Sequence, residues 1–300
     1  MSELFWGIDM GGTKIEGVGI ETSPQLNILS RLRIPTEQEF GYEHVLNQFK
    51  KLVGLLIEET GQKPHRIGIG TPGIIDFTTH LIKNSNTKCI IGKPMKEDLQ
   101  QLLGIEVRMA NDANCFAMAE SHLGVVPDFV KNPEVVFGVI MGTGVGSGIV
   151  VNGKVINGKH GIGGEWGHNS LDEHGELCYC GQRGCVETFI SGPATENHYY
   201  NLSGNKLKLK EIYKLYQGHD PNAVATIDRM MHYFGRAIAC VINIVDPEVI
   251  VFGGGVGNLD VIYERGKEEV LKHLFNGELN TLFLRPKLGD SAGVIGAALL

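Results

Sequence analysis

The chain has 300 residues, 42% of them hydrophobic and 20% charged, which is enough for a large buried core and two domains of ordinary size. A formal net charge of −7 argues against a nucleic-acid-binding surface. It does not forbid an anionic ligand, because backbone amides and magnesium bind phosphate without basic side chains. No stretch supplies the roughly 18 continuous apolar residues of a membrane span. The opening MSELFWGIDMGGTK enters a glycine turn after one short apolar run, so no secretory leader is expected. Three of the six cysteines, Cys89, Cys115 and Cys240, stand alone and read as small buried filler in a reducing cytoplasm.

In chain order, Leu4 to Asp9 reads as a strand, Met10 to Lys14 as a turn and Ile15 to Ile20 as a second strand, together a glycine-tipped hairpin. Val45, Leu46, Phe49, Leu52, Val53 and Leu56 form a helical stripe over Glu43 to Glu59. Arg66 to Gly70 is a strand running into the turn Thr71-Pro72-Gly73, and Ile105 to Ala110 is another. Asn111 and Asp112 lie where that strand gives way to a helix, with Asp112 placed to cap it. A second glycine-tipped hairpin spans Val135 to Val151. A shift of 131 residues superimposes Gly7 on Gly138, Met10 on Met141, Gly11 on Gly142 and Gly17 on Gly148, which predicts two copies of one unit.

Further on, Pro221 to Val245 is a long amphipathic helix ended by Asp246-Pro247, and Glu248 to Phe252 is a buried strand. Asp260 to Phe275 reads as one helix, and GDSAGVIGAALL as a last helix with an Asp or Ser cap. Alternating strands and helices give the α/β class. Residues 1–112 form the expected first domain and 113–289 the second, with the helix at about 290–300 returning to the first.

The densest chemistry lies in GEWGHNSLDEHGELCYCGQRGCVE, Gly164 to Glu187. Cys178, Cys180 and Cys185 fall close together, with His168 and His174 upstream; such thiolates and an imidazole suit a tetrahedral zinc site. By spacing, either histidine serves as the fourth ligand. Glu165 and Glu187 bracket the cluster. Three glycine turns, DMGGTK (9–14), GTGVGSG (142–148) and FGGGVGN (252–258), match neither the P-loop nor the dinucleotide fingerprint. Together they fit a nucleotide whose phosphates lie on one loop from each lobe, with the third loop flanking the adenosine.

These motifs, with VINIVDPEVIVFGGGVGN and the closing DSAGVIGAALL, resemble the bacterial ROK sugar kinases over nearly the whole chain. The CxCGxxGCxE signature is the most specific part. The likeness is nearest to fructokinases of the manno(fructo)kinase type, with N-acetylglucosamine kinases next. It implies an actin-like ATPase (ribonuclease H-like) fold, two α/β domains whose interdomain cleft closes on sugar and ATP, and a homodimer with no nucleic-acid or membrane partner. Asn111-Asp112 matches the family's pair, which makes Asp112 the general base. Asp9 would hold magnesium through water. Gly11, Gly12, Thr13 and Lys14 would meet the phosphates, Gly142, Thr143 and Gly144 would do so from the second lobe, and Gly254 and Gly255 belong to the adenosine loop. Sugar contacts carry over to Gly73, Asn84, Asn86, Asn111, Asp112, Glu165, His168 and Glu187. The pattern GExGH selects His168 to join Cys178, Cys180 and Cys185 on a structural zinc. The expected activity is an ATP-dependent hexose kinase making a 6-phosphate ester. Sugar-responsive repressors in the same family carry a helix-turn-helix ahead of the first glycine turn, where only eight residues precede Asp9 here.

Overall fold

The computed structural model describes residues 4–22, 26–76 and 78–300. In chain order its elements are β1 (Leu4–Met10), β2 (Lys14–Glu21), β3 (Asn27–Pro35), α1 (Tyr42–Thr60), β4 (Arg66–Thr71), β5 (Ile74–Ile75), β6 (Ile82–Lys83), α2 (Met95–Leu103), β7 (Glu106–Asn111) and α3 (Asp112–His122). There follow β8 (Val135–Met141), β9 (Val145–Val151), β10 (Lys154–Val155), α4 (Glu187–Ile190), α5 (Gly192–Ser203), α6 (Leu209–Gln217) and α7 (Pro221–Val245). The chain closes with β11 (Val249–Gly253), α8 (Gly254–Gly257), α9 (Asp260–Tyr263), α10 (Arg265–Leu271), β12 (Leu282–Leu284) and α11 (Ala292–Ala298).

The chain divides into two units, one of Met1–Phe129, Gly153–Gly163 and Lys287–Leu300, the other of Val130–Asn152 and Gly164–Pro286. The first division therefore falls after Phe129 and not at Asp112. The reason is steric: α3 lies directly on α11, so closely that a Cβ on Gly296 would overlap the Cys115 carbonyl. The pair cannot be parted between domains.

In the first unit the strand order is β3-β2-β1-β4-β7, with β1 antiparallel to β2 and parallel to β4, and β4 parallel to β7. Helix α1 buries the stripe expected of it, Val45, Leu46, Phe49, Leu52, Val53 and Leu56, and stops at Gly61, whose φ of 66° suits glycine. These side chains pack with Trp6, Ile8, Ile67 and Ile69 of the sheet. Each buried aliphatic or aromatic side chain contributes about 1.5–3 kcal/mol. On β1 and β4, Gly7 and Gly68 have no room for a Cβ, because the backbone of α11 occupies that space.

In the second unit β9-β8-β11-β12 run side by side with the same sense, an antiparallel hairpin followed by two parallel strands. The two hairpins are thus copies in topology. The register, however, corrects one of the four sequence matches. Gly17 pairs with Ile8, whereas Gly148 pairs with Gly138, the counterpart of Gly7. The turn of the second hairpin is one residue shorter, so Gly148 corresponds to Val18. Helix α7 starts at Asp220, whose side chain accepts from the Ala223 N–H, and packs Ile227, Met230, Phe234 and Ile238 with Phe137, Ile250 and Phe252.

Other local expectations differ from the structure. The helix from Asp260 breaks at Glu264 (φ −100°, ψ −91°) into α9 and α10, and α11 has no side-chain cap. Cys115 is buried, but Cys240 is exposed on α7 and Cys89 is half-buried.

Candidate active site and metal loop

In the first unit the motif residues gather at the C-terminal ends of the parallel strands, where open α/β sheets bind ligands. Asp9 is in register with Gly70, and Thr71 with Asn111. The Asp9 carboxylate is walled by glycine: a Cβ on Gly70 would lie 3.2 Å from its Oδ1, and one on Gly293 3.3 Å from its Cγ. Burial, then the charges of Asp112 and Glu16, push its carboxyl up to about 6 against the pull of Lys14. Glu16 is itself buried, and Arg31 and Arg33 both bond to it.

The turn after Asp9 is braced from outside by residues that its own sequence does not announce. Thr36 Oγ1 donates to the Gly11 carbonyl (2.7 Å) and Gln38 Nε2 to that of Gly12 (2.8 Å). Thr13 and Lys14 are exposed. Gly73, with φ of 96°, packs on the Lys83–Ser85 backbone, where a Cβ would sit 2.6 Å from the Lys83 carbonyl oxygen. The TPG turn therefore lies against the segment carrying Asn84 and Asn86, both exposed, with Asn84 left-handed at φ 53°.

The helix cap goes to Asn111 and not to Asp112: the Asn111 Oδ1 accepts from the Asn114 N–H at 2.8 Å. Asp112 is released from that duty. Its Oδ1 accepts from Ala113 N–H (2.8 Å), and its side chain reaches solvent. Protein crowds its remaining sides, and this desolvation raises the carboxyl above the ordinary range despite the backbone donors.

In the second unit, the glycine turns after β8 and β11 lie on adjacent parallel strands, since Gly253 is in register with Ile140. Gly142 and Gly255 each face open space where a Cβ would be, the room a ligand needs to approach backbone amides. Gly254 is there for closeness: at φ 79° it packs against the Met141 backbone, and Thr143 is exposed. The turn is held by the Gly192 N–H donating to the Gly142 carbonyl (2.9 Å) and by Glu187, whose Oε2 accepts from Val145 N–H (2.8 Å). A Cβ on Gly144 would lie 2.7 Å from that same oxygen.

The metal loop lies on this hairpin. Ser147 Oγ bonds to the Gly164 carbonyl, a Cβ on Gly167 would overlap the Val145 carbonyl, and Trp166 Nε1 donates to the Ala237 carbonyl at 3.0 Å. Donor atoms of His168, Cys178, Cys180 and Cys185 all fall within 4.8 Å of one another. Cys180 Sγ lies 3.6 Å from Cys185 Sγ, and Cys178 Sγ 3.5 Å from His168 Nδ1. A tetrahedral zinc with bonds of about 2.3 Å to sulfur and 2.0–2.1 Å to nitrogen requires separations of roughly 3.5–3.8 Å. The four residues fit that ion. His168 Nε2 meets the Tyr179 hydroxyl at 3.0 Å, the outer contact that fixes a ligating ring. His174 is exposed beside Glu173 and takes no part. Glu165 immediately precedes the short turn Trp166–His168 that delivers the histidine.

With this geometry in place, comparisons with known proteins agree with one another. The ROK family model matches residues 5–300. The N-acetyl-D-glucosamine kinase of Histophilus somni (strain 129Pt) is 35% identical over 308 residues, covering 99% of this chain and 98% of that protein. That of Pectobacterium atrosepticum is 36% identical over 312 residues, with 99% and 98% covered. Among solved structures, a ROK hexokinase from Thermus thermophilus superposes with a TM-score of 0.88 at 32% identity over 99% of this chain and 97% of that one. A ROK family glucokinase from Streptomyces griseus, solved with glucose and AMPPNP, gives 0.74 at 25% identity over 99% and 98%. Two α/β sheets of matching strand order, full-length family agreement and these relatives lead to one conclusion: the chain belongs to the ROK family and has the actin-like ATPase fold.

Proposed function

We propose that this protein phosphorylates N-acetylglucosamine at the expense of ATP, with Asp112 as the general base. At the coarser level it is an ATP-dependent sugar kinase of the ROK family. The observation that carries the mechanism is the division of labour at the start of α3. Asn111 caps the helix, so Asp112 keeps a solvent-reaching carboxylate whose raised proton affinity suits it to accept a proton. As the sugar hydroxyl oxygen bonds to the γ-phosphorus, Asp112 takes its proton, the bond from phosphorus to the β–γ bridging oxygen breaks, and ADP leaves.

The glycine turns at 11–14 and 142–144 offer backbone N–H groups to phosphate oxygens, Gly255 offers an unobstructed surface to the adenosine, and Gly254 lets that loop pack on the Met141 backbone. Magnesium, when bound, neutralises phosphate charge, and Asp9 is the residue that would hold it. Gly73, Asn84, Asn86, Asn111, Glu165, His168 and Glu187 are the residues proposed to serve the sugar. Zinc on His168, Cys178, Cys180 and Cys185 is structural, because the four protein ligands leave no open position for activating water.

The choice of sugar reverses the order suggested by the loop KNSNTKCIIGKP, which is more like that of fructokinases. Support for the amino sugar comes from N-acetyl-D-glucosamine kinases that are 33–36% identical along the whole chain. The test is a set of specificity constants for N-acetylglucosamine, fructose, mannose and glucose in a coupled ADP assay. A fructose value tenfold above that for N-acetylglucosamine sinks the substrate assignment. Asp112→Asn is expected to lower turnover by about two to four orders of magnitude. Near-normal turnover in that variant removes the base.

A further inference from the structure

Glu120 is fully buried on α3, two turns beyond Asp112, and no Lys, Arg or His among the described residues pairs with it. A buried carboxylate without a cation costs several kcal/mol unless hydrogen bonds replace its water. Three backbone N–H groups do so. Val125 donates to Oε2 (2.9 Å), Leu288 to Oε1 (2.9 Å), and Lys287 to both oxygens (3.1 Å each). The neighbouring cation is otherwise engaged, since Lys287 Nζ bonds to Asp128 (2.7 Å). Gly124 is small for the same reason: a Cβ there would lie 2.6 Å from the Glu120 Cα. An apolar side chain could cover the end of α3 equally well, but it could not grip two successive amides of a segment nearly 170 residues away.

That segment leads directly into α11. The helix is wedged with no slack, against the glycines of β1 and β4 on one side and Cys115 of α3 on the other. Its Gly293 stands 3.3 Å from the Asp9 carboxylate, counted to the place of a Cβ. A slip of one residue would bring the side chain of Ala292 or Val294 against Asp9. We propose that Glu120 is a positioning residue for phosphoryl transfer: by clamping Lys287 and Leu288 to the helix that carries Asp112, it sets α11 so that Gly293 leaves the Asp9 carboxylate its working place. This rests on the roles given above to Asp9 and Asp112.

The test compares Glu120→Gln, which turns an NH2 group toward backbone donors, with Glu120→Asp, which keeps the charge on a shorter stem. Turnover is normalised to the folded fraction measured by circular dichroism. Glu120→Gln is expected to lower kcat about tenfold and raise half-saturating magnesium severalfold, with sugar KM within about twofold of wild type. Glu120→Asp should fall in between. Gly293→Ala leaves Glu120 untouched but crowds Asp9, so it should reproduce the magnesium effect; this holds the test open if Glu120→Gln does not fold. A second readout, the magnesium-dependent part of the thermal shift given by ADP, should shrink in the same order. A lowered melting temperature with unchanged kcat and magnesium dependence overturns the inference, as does an unaffected Gly293→Ala. If Glu120→Gln is silent while Asp112→Asn is inactive, only the clamp fails. If Asp112→Asn is active, the proposed base itself has failed.

Discussion

The two glycine turns sit on hairpins of the same topology, yet opposite chemistry braces them. The first, residues 11–14, is clasped by side chains, Thr36 and Gln38 on its carbonyls, and follows a carboxylate that burial, then the charges of Asp112 and Glu16, push toward neutrality. The second, residues 142–144, holds no titratable side chain. It is fixed by the Gly192 amide and by Glu187, which lies two residues beyond the metal ligand candidate Cys185. The strand order is the same in both units, and the turns differ. The first turn follows the carboxylate of Asp9 within its own hairpin, whereas the second is braced by the Glu187 carboxylate from the segment that carries the candidate metal ligands.

The largest test of that contrast is to remove the proposed zinc from His168, Cys178, Cys180 and Cys185. Chelation, or Cys185→Ser, should lower turnover about 10–100-fold, the usual cost of losing support around a metal site. Because Glu187 holds the Val145 amide, nucleotide affinity should fall along with sugar affinity. Calorimetric titration of the chelated protein with sugar and with ADP separates the two. Intact ADP binding would show that the second turn stands without the metal loop.

A smaller effect is expected at Asp9, and its sign is opposite for stability. Its carboxyl rises from 3.8 to about 6 on folding, so the fold favours the protonated form. Stability from this group is complete below pH 4 and is lost as pH rises through 6. Two units correspond to about 3 kcal/mol, and partial solvent access reduces this to about 2. Asp9→Asn should therefore stabilise the unliganded protein by about 2 kcal/mol at pH 8 and by nothing near pH 4. Equal midpoints in urea at both pH values would place the strain elsewhere.

What could be read in the sequence was whatever depends on local period or on spacing. The α1 stripe, α7 with its Asp220–Pro221 start, and both glycine hairpins follow from residues close together in the chain. The thiols of Cys178, Cys180 and Cys185 are equally local, while the choice between His168 and His174 needed the family likeness or coordinates. What escaped depends on distant partners. β3 was missed because its exposed alternation in NILSRLRIP carries little apolar signal, and β12 because three residues are too few. Glu120 carries no signal of its own in the sequence, since two of the amides that hold it come from the distant Lys287 and Leu288. The exchange of cap duty between Asn111 and Asp112 is invisible at the level of sequence, because either residue type caps a helix.

The finest probe of the asymmetry is Thr36→Val, which removes one hydroxyl and keeps the shape. The hydrogen bond it deletes is neutral and contributes about 1 kcal/mol, so nucleotide KM should rise roughly fivefold. Sugar KM should not move, because Thr36 touches the phosphate turn alone among the motif residues. The second hairpin has no equivalent to mutate: its turn carbonyl at Gly142 is held by a backbone amide that no substitution short of proline deletes. A nucleotide KM unchanged in Thr36→Val would mean that the first turn, too, stands on its backbone, with the short Gly11 N–H to Lys14 carbonyl bond (2.8 Å) sufficient to shape it. The difference between the lobes would then lie in the carboxylates alone.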